Sequence, residues 1–218
     1  IGFGYIGAVI GAVYSNLGHE VFAIDNNKTA IDDLNSGICN VPEPQLQRLI
    51  TDQVKNGNLK GLYDYTDIGS SDVILVTVGT PLSANFDADL TAISDVFRQL
   101  AEYVVPGQII MLKSTVPPGV TRQMFDTFLN GIEDIYVGFS PERLAEGKAI
   151  QELAELPIIV GGVNEISTQK CSEFWESTLD AEVIKMSSPE SAELVKLANN
   201  QWIDIHIALA NELALLCD

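Results

Sequence analysis

The sequence predicts an α/β fold: an open, doubly wound parallel sheet with helices on both faces, followed by the start of a long helix. Three observations predict it. Short apolar runs rich in β-branched residues alternate with helical patterns along most of the 218 residues, the alternation that builds parallel βαβ units. A Gly-x-Gly-x-x-Gly string, Gly2-Phe3-Gly4-Tyr5-Ile6-Gly7, stands where a strand end passes into a helix. An acid, Asp25, ends the next apolar run, 18 residues after Gly7.

Each element follows from its pattern. Ile1 reads as the tail of a first strand whose opening residues are missing, and no initiator Met precedes it. The runs expected as strands are Val21 to Asp25, Asp72 to Val78, Gln108 to Ser114, Asp134 to Ser140, Pro157 to Gly162 and Ala181 to Met186. They are continuously apolar, as strands covered on both faces must be. The helices expected between them are Tyr5 to Leu17, Lys28 to Asn35, Leu90 to Tyr103, Val120 to Leu129 and Glu165 to Ser177. From Pro189 the alternation gives way to one helical pattern of about 30 residues, entered through a Ser-Pro-Glu start. Such a length suits a helix that connects domains or packs on a partner subunit, and equally a simple core helix. The pattern ends without a Gly or Pro stop, as expected of a piece of a longer protein. The expected division is residues 1–187 as a nucleotide-binding domain and 188–218 as the start of a central helix.

Composition narrows the function classes. Thirty acidic residues against twelve basic give a formal charge of -18, which repels both nucleic-acid backbones and anionic membranes. No stretch reaches the roughly 18 unbroken apolar residues of a membrane span. Cys39, Cys171 and Cys217 are scattered, with no metal-binding or disulfide spacing, which fits a reducing cytoplasm. His19 is expected at the surface, and His206 in packing or an interface.

The glycine string carries the chemistry. Its first Gly permits a tight turn, its second lets the backbone approach a pyrophosphate, and its third lets helix and strand pack closely. The helix N-terminus then offers free N–H groups to phosphates. A carboxylate at Asp25 accepts hydrogen bonds from ribose hydroxyls and repels a 2′-phosphate, so the expected cofactor is NAD rather than NADP. Three loops follow strands at the same edge of the sheet: Val78-Gly79-Thr80-Pro81-Leu82, Ser114 to Gly119, and Ser140 to Gly147. Ligands of open α/β sheets bind outside that edge, so Val78, Gly79, Thr80, Pro81, Ser114 and Thr115 are expected to line the cofactor cleft.

GFGYIG, VGTPL, KSTVPPG, SPERLAEG, ELVKLANN and ANELALLC, in this order, resemble the UDP-glucose/GDP-mannose dehydrogenase family over essentially the whole chain. SPER and the IALANELALLC ending are more similar to its UDP-N-acetylhexosamine branch, which includes the UDP-N-acetylmannosamine dehydrogenases. The resemblance implies a Rossmann-like domain and oxidation of C6 of a nucleotide sugar from alcohol to carboxylate with two NAD+. The first hydride transfer gives an aldehyde, a cysteine captures it, a second hydride leaves, and water hydrolyses the thioester. It implies that Thr115 sits near the substrate C6 and helps hold the water, that Glu142 is the acid/base group, and that Glu146 contacts the cofactor and links it to domain closure. Lys196 and Asn200, four apart on one helical face, would stabilise a developing oxyanion, with Asn199 competing for the amide role. Glu142, Arg143 and Leu144 would line the substrate site. Arg143 and Lys148 either bind substrate phosphate or form surface salt bridges. In the family the long helix supports dimerisation, so a homodimer is expected. Two features depart from the family. The nucleophilic cysteine lies in a Gly-rich motif that nothing here matches, so that role passes to none of the three cysteines. A basic residue often found five positions after the ribose-binding acid is Ala30 here, with Lys28 nearby. Other readings are a UDP-glucose 6-dehydrogenase, a β-hydroxyacid dehydrogenase, which would not be expected to carry SPERLAEG, and a non-catalytic NAD-binding module.

Overall fold

The computed structural model describes residues 1–217; Asp218, the last residue of the expected helix segment, lies outside them. The elements alternate as expected. Helix α1 (Tyr5–Asn16) leads to strand β1 (Val21–Ile24) and helix α2 (Lys28–Asn35). Then come α3 (Leu46–Asn56), β2 (Leu59–Leu62), β3 (Val73–Val76), α4 (Thr91–Tyr103), β4 (Ile109–Leu112) and α5 (Val120–Met124). They are followed by β5 (Tyr136–Phe139), α6 (Ala149–Glu155), β6 (Ile158–Gly162), α7 (Glu165–Thr178), β7 (Val183–Lys185) and α8 (Pro189–Cys217). The stretch expected as one helix to Leu129 turns π-helical over Phe125–Leu129.

The strands pair as β1 with β2 and as β3-β4-β5-β6-β7. Ile1 and Gly2 lie between β1 and β3 and join the two groups. The Gly2 N–H donates to the Ile24 carbonyl at 2.8 Å. The Ile1 amino group donates to the Leu75 carbonyl at 2.7 Å, and the Thr77 N–H to the Ile1 carbonyl at 2.8 Å. Ile1 thus occupies the strand position its sequence predicted.

Two local differences from expectation have physical causes. β6 runs antiparallel to β5, pairing Gly138 with Gly162 and Phe139 with Gly161, whereas a wholly parallel sheet was expected. A run buried on both faces looks the same in either direction, so pattern alone does not orient it. The sequence also hides β2, α3 and α6. β2 is Leu-Lys-Gly-Leu, without β-branched residues, and a side chain at Gly61 would press on Ile31 at 2.9 Å. α3 is largely polar and buries one stripe through Leu46 and Ile50.

The core has three parts. β3 to β5 enclose Ile74, Val76, Ile110, Leu112, Val137 and Phe139 against α4. α1 packs on β1, β2 and α3 through Ala8, Val9 and Ala12, with Leu34 of α2 in the same cluster. On the other face Met111, Val160 and Trp175 join α1, α7 and β6. The first turns of α8 dock on this body, where Pro189, Ala192 and Glu193 are buried. Residues 201–217 of α8 are exposed on every side, including Trp202, Ile203, Ile205, Ile207, Leu209 and Leu213. His206 lies in this exposed stretch, its ring against Trp202. His19 is at the surface, as expected.

Candidate functional site

The glycine string makes the turn the sequence predicted. Gly2 has φ +89°, open to glycine but strained for other residues. A side chain at Gly7 would run into the Gly2 carbonyl, so helix and strand meet there at backbone distance. At Gly4, by contrast, an added Cβ would meet nothing within 4 Å. This glycine therefore leaves open space at the mouth of α1 rather than relieving a clash. α1 has no side-chain cap and no acid in its first turn, and its ladder starts with the Ala8 N–H bonded to the Gly4 carbonyl. The preceding N–H groups and the positive end of the helix dipole remain for an anion. Asp25, directly after β1, accepts the Phe3 N–H at 2.6 Å and the Asn27 N–H at 2.8 Å. The same carboxylate that would meet a ribose thus also braces the glycine turn. Lys28 is exposed at the start of α2.

Two further loops close on this turn through short bonds. The Thr77 hydroxyl donates to the Gly2 carbonyl at 2.7 Å. The Ser114 hydroxyl donates to the Val78 carbonyl at 2.7 Å, and the Thr80 hydroxyl to the Thr115 carbonyl at 2.8 Å. The segments Phe3 to Gly7, Val78 to Pro81 and Ser114 to Thr115 therefore form one rim, as expected.

The Ser140 to Gly147 loop adds the charged groups. Glu142 folds back on its own segment, its Oε1 accepting the N–H groups of Arg143 (2.7 Å) and Leu144 (2.9 Å). Its Oε2 is buried without a hydrogen bond, 3.4 Å from the Lys113 ammonium. A buried polar atom without a hydrogen-bond partner needs an explanation, and a ligand-facing role is one. Lys113 is itself buried, donates to the Ser140 carbonyl at 3.1 Å and lies 4.8 Å over the Trp175 ring. Sequence reasoning missed this residue; its signal was a cation ending an otherwise apolar strand. Lys196 of α8 shares this environment. Burial pushes its ammonium below the usual lysine range, Glu142 opposes that, and Arg143 and Lys113 add to it.

Other candidates are placed differently. The Arg143 guanidinium donates to the Pro157 carbonyl, so it is engaged within the protein. Leu144 packs into the apolar core. Glu146 and Lys148 are exposed on the loop. Asn199 and Asn200 are both half-buried on α8. Missed altogether was Glu193, fully buried one turn before Lys196. It accepts the Gly119 N–H (2.6 Å), the Thr121 N–H (2.8 Å) and the Thr121 hydroxyl (2.6 Å), and so fastens α8 to the end of the Ser114 to Gly119 loop. Cys171 is buried and its thiol is pushed up to about 12 by burial. Burial also raises Cys39, and Cys217 is exposed at the far end of α8.

Comparison with known proteins agrees with this fold. Residues 1–179 match the family model for the UDP-glucose/GDP-mannose dehydrogenase family, NAD binding domain. The UDP-N-acetyl-D-mannosamine dehydrogenase of Methanococcus maripaludis is 33% identical over 222 residues, covering 100% of this chain and 50% of that protein. The structure of UDP-D-ManNAc dehydrogenase from Pyrococcus horikoshii superimposes with a TM-score of 0.92 at 33% identity, over 99% of this chain and 52% of that one. A ternary complex of GDP-mannose dehydrogenase from Pseudomonas aeruginosa gives 0.87 at 32%, over 97% and 50%. The chain spans about half the length of the relatives it matches.

Proposed function

The chain belongs to the UDP-glucose/GDP-mannose dehydrogenase family, whose NAD-binding domain it carries, and we propose that it serves the NAD-dependent oxidation of C6 of a UDP-sugar to the uronic acid. A UDP-N-acetylhexosamine such as UDP-N-acetylmannosamine is the proposed substrate, in line with the names of its relatives. One observation carries the reading. A turn built to receive an anion and a buried group comprising Glu142, Lys113 and Lys196 open on the same edge of the sheet.

NAD, when bound, supplies the hydride acceptor. The protein's residues do the rest. The N–H groups at Tyr5 to Gly7 hold the pyrophosphate, and Asp25 takes the ribose hydroxyls. Gly79, Thr80, Pro81 and Ser114 would line the cleft, and the exposed Glu146 would contact the cofactor when it is bound. The Lys196 ammonium and the Asn200 amide stabilise the oxyanion that forms as the C6 alcohol loses its proton. Thr115 orients C6 and the hydrolytic water. Glu142 takes a proton from that water in the second half-reaction, releasing the carboxylate product. The buried thiol of Cys171, the half-buried Cys39, whose thiol burial raises, and the remote Cys217 are poorly suited to capture an aldehyde at this edge. This supports a nucleophilic cysteine supplied elsewhere in the full-length protein, with the present chain binding NAD without completing turnover. We further propose residues 1–187 as the NAD-binding domain, and a cytoplasmic homodimer that covers the apolar side chains of α8 beyond Gln201.

The test is an assay of the full-length protein with a panel of UDP-sugars and hydroxyacids. Two NADH formed per UDP-sugar, with activity abolished by Lys196→Ala, is expected. Turnover of a hydroxyacid alone, with one NADH, would overturn the reading.

A further inference from the structure

Glu43 lies between α2 and α3, in a segment to which neither the sequence reading nor the proposed chemistry assigns a role. It is 8% exposed. Its Oε2 accepts the hydroxyl of Tyr5, the first residue of α1, and the Gly147 N–H at 2.7 Å. Its Oε1 receives the Ile150 N–H more loosely, at 3.5 Å. The Tyr5 oxygen is also approached by the Gly147 N–H at 3.2 Å. One buried carboxylate therefore gathers the anion-receiving turn, the end of the loop bearing Glu142 and Glu146, and the start of α6. Burial pushes this carboxyl up, but the Tyr5 hydroxyl and the N–H groups of Gly147, Ile150 and Ala149 outweigh burial and hold it below the usual range. Burial and the neighbouring Glu43 raise Tyr5 to about 12, so its hydroxyl keeps its proton and donates.

We propose that Glu43 is a positioning residue that couples cofactor occupancy at the Gly2 to Gly7 turn to the placement of the Glu142 to Gly147 loop. Tyr5 acts twice. Its backbone N–H belongs to the anion-receiving end of α1, and its side chain meets Glu43. A ligand that orders this turn fixes the Tyr5 ring, which fixes the carboxylate. The carboxylate in turn holds the Gly147 N–H, one residue beyond Glu146. Charge-assisted bonds of this kind are roughly twice as strong as neutral ones, so the link transmits order where an exposed loop would otherwise fluctuate. The inference rests on NAD binding at this turn.

Amide hydrogen exchange of this chain, with and without saturating NAD+, tests it. In the wild type NAD+ slows exchange in residues 4–8 and also in 145–150, the second by about tenfold or more, as expected for a loop held by a charge-assisted bond. In Glu43→Ala, NAD+ still binds by calorimetry and still protects residues 4–8, but protection of 145–150 is lost. Glu43→Gln keeps an acceptor and recovers most of it. Tyr5→Phe, which leaves the Glu43–Gly147 bond in place, also loses the NAD+ response, and it serves as the test if Glu43→Ala does not fold. Undiminished NAD+ protection of 145–150 in Glu43→Ala or Tyr5→Phe would overturn the proposal, because the loop would then be ordered by direct contact through Glu146. NAD+ binding without loop protection in the wild type overturns it alone. Absence of NAD+ binding by the wild type overturns it together with the cofactor reading.

Discussion

Glu193 offers the sharpest test of how α8 is held to the site. In Glu193→Ala, the buried Thr121 N–H and the half-buried Gly119 N–H lose their acceptor, while the Thr121 hydroxyl can rotate toward another. An orphaned buried donor costs about 1–3 kcal/mol, so the expected loss is about 4 kcal/mol, within the range for breaking a buried charged contact. Glu193→Gln preserves shape and part of the bonding. It also removes a charge whose burial outweighs its three donors, since the carboxyl is held above the usual range by desolvation. Its expected loss is therefore only about 1 kcal/mol. The raised value sets the sign of the pH effect. The folded state binds this proton more tightly than the unfolded state, so the contribution of Glu193 is greatest below the ordinary carboxylate range. It declines as pH rises through that range toward the raised value. Urea unfolding of the three proteins between pH 4 and 8 measures all of this. A Glu193→Ala variant within 1 kcal/mol of wild type, or a Gln variant as damaged as the Ala one, would refute the reasoning.

Three further outcomes are expected. The Arg122–Glu190 pair, at 2.5 Å and about one third exposed, holds the Glu190 carboxyl down to about 2, chiefly through the hydrogen bond from Arg122. After solvent screening its contribution is under ~1 kcal/mol. It is lost as pH falls from the ordinary carboxylate value toward 2, so the difference in urea midpoint between wild type and Glu190→Gln should vanish over that window. Gly4→Ala places a methyl in open space and should leave stability within ~1 kcal/mol while weakening NAD+ binding about tenfold or more by calorimetry. Gly7→Ala, whose Cβ would strike the Gly2 carbonyl, should instead lower the melting temperature with or without ligand. Lys113→Met leaves the buried Glu142 oxygen without its cation and should cost roughly 3 kcal/mol. A double-mutant cycle with Glu142→Gln should return a coupling above about 1 kcal/mol, and additivity would show that the pair does not interact.

The sequence made the chemistry-bearing loops legible because each follows a strongly apolar strand and carries residues with restricted backbone roles. Gly2, Gly7 and Asp25 stand where their spacing puts them, and the 29 residues of α8 match the uninterrupted pattern from Pro189. Elements without such signals stayed hidden. β2 is four residues long with a lysine and a glycine at its centre. α6 is only seven residues, about two turns, directly after the Ser140 to Gly147 loop. The functional acids missed by sequence, Glu43 and Glu193, are the ones whose meaning is tertiary. Glu43 stands outside every quoted motif and Glu193 opens the ELVKLANN stretch, and each matters because it meets N–H groups more than 70 residues away. Local pattern carries no trace of such partners. The orientation of β6 is hidden for a related reason, since a strand buried on both faces has no sequence polarity.

That reversed strand has an evolutionary consequence. Parallel neighbours must be joined by a crossover that traverses the sheet, but antiparallel neighbours can be joined along one edge. Because β6 runs against β5, the chain leaves Phe139 and re-enters at Ile158 on the edge where ligands bind. Everything between is free of the duty of spanning the sheet. Its length can vary without disturbing strand register, but Glu142, Gly147 and Ile150 within it are tied to Lys113 and Glu43. Residues 140–157 can therefore vary between these fixed points while the paired strands on either side keep their register.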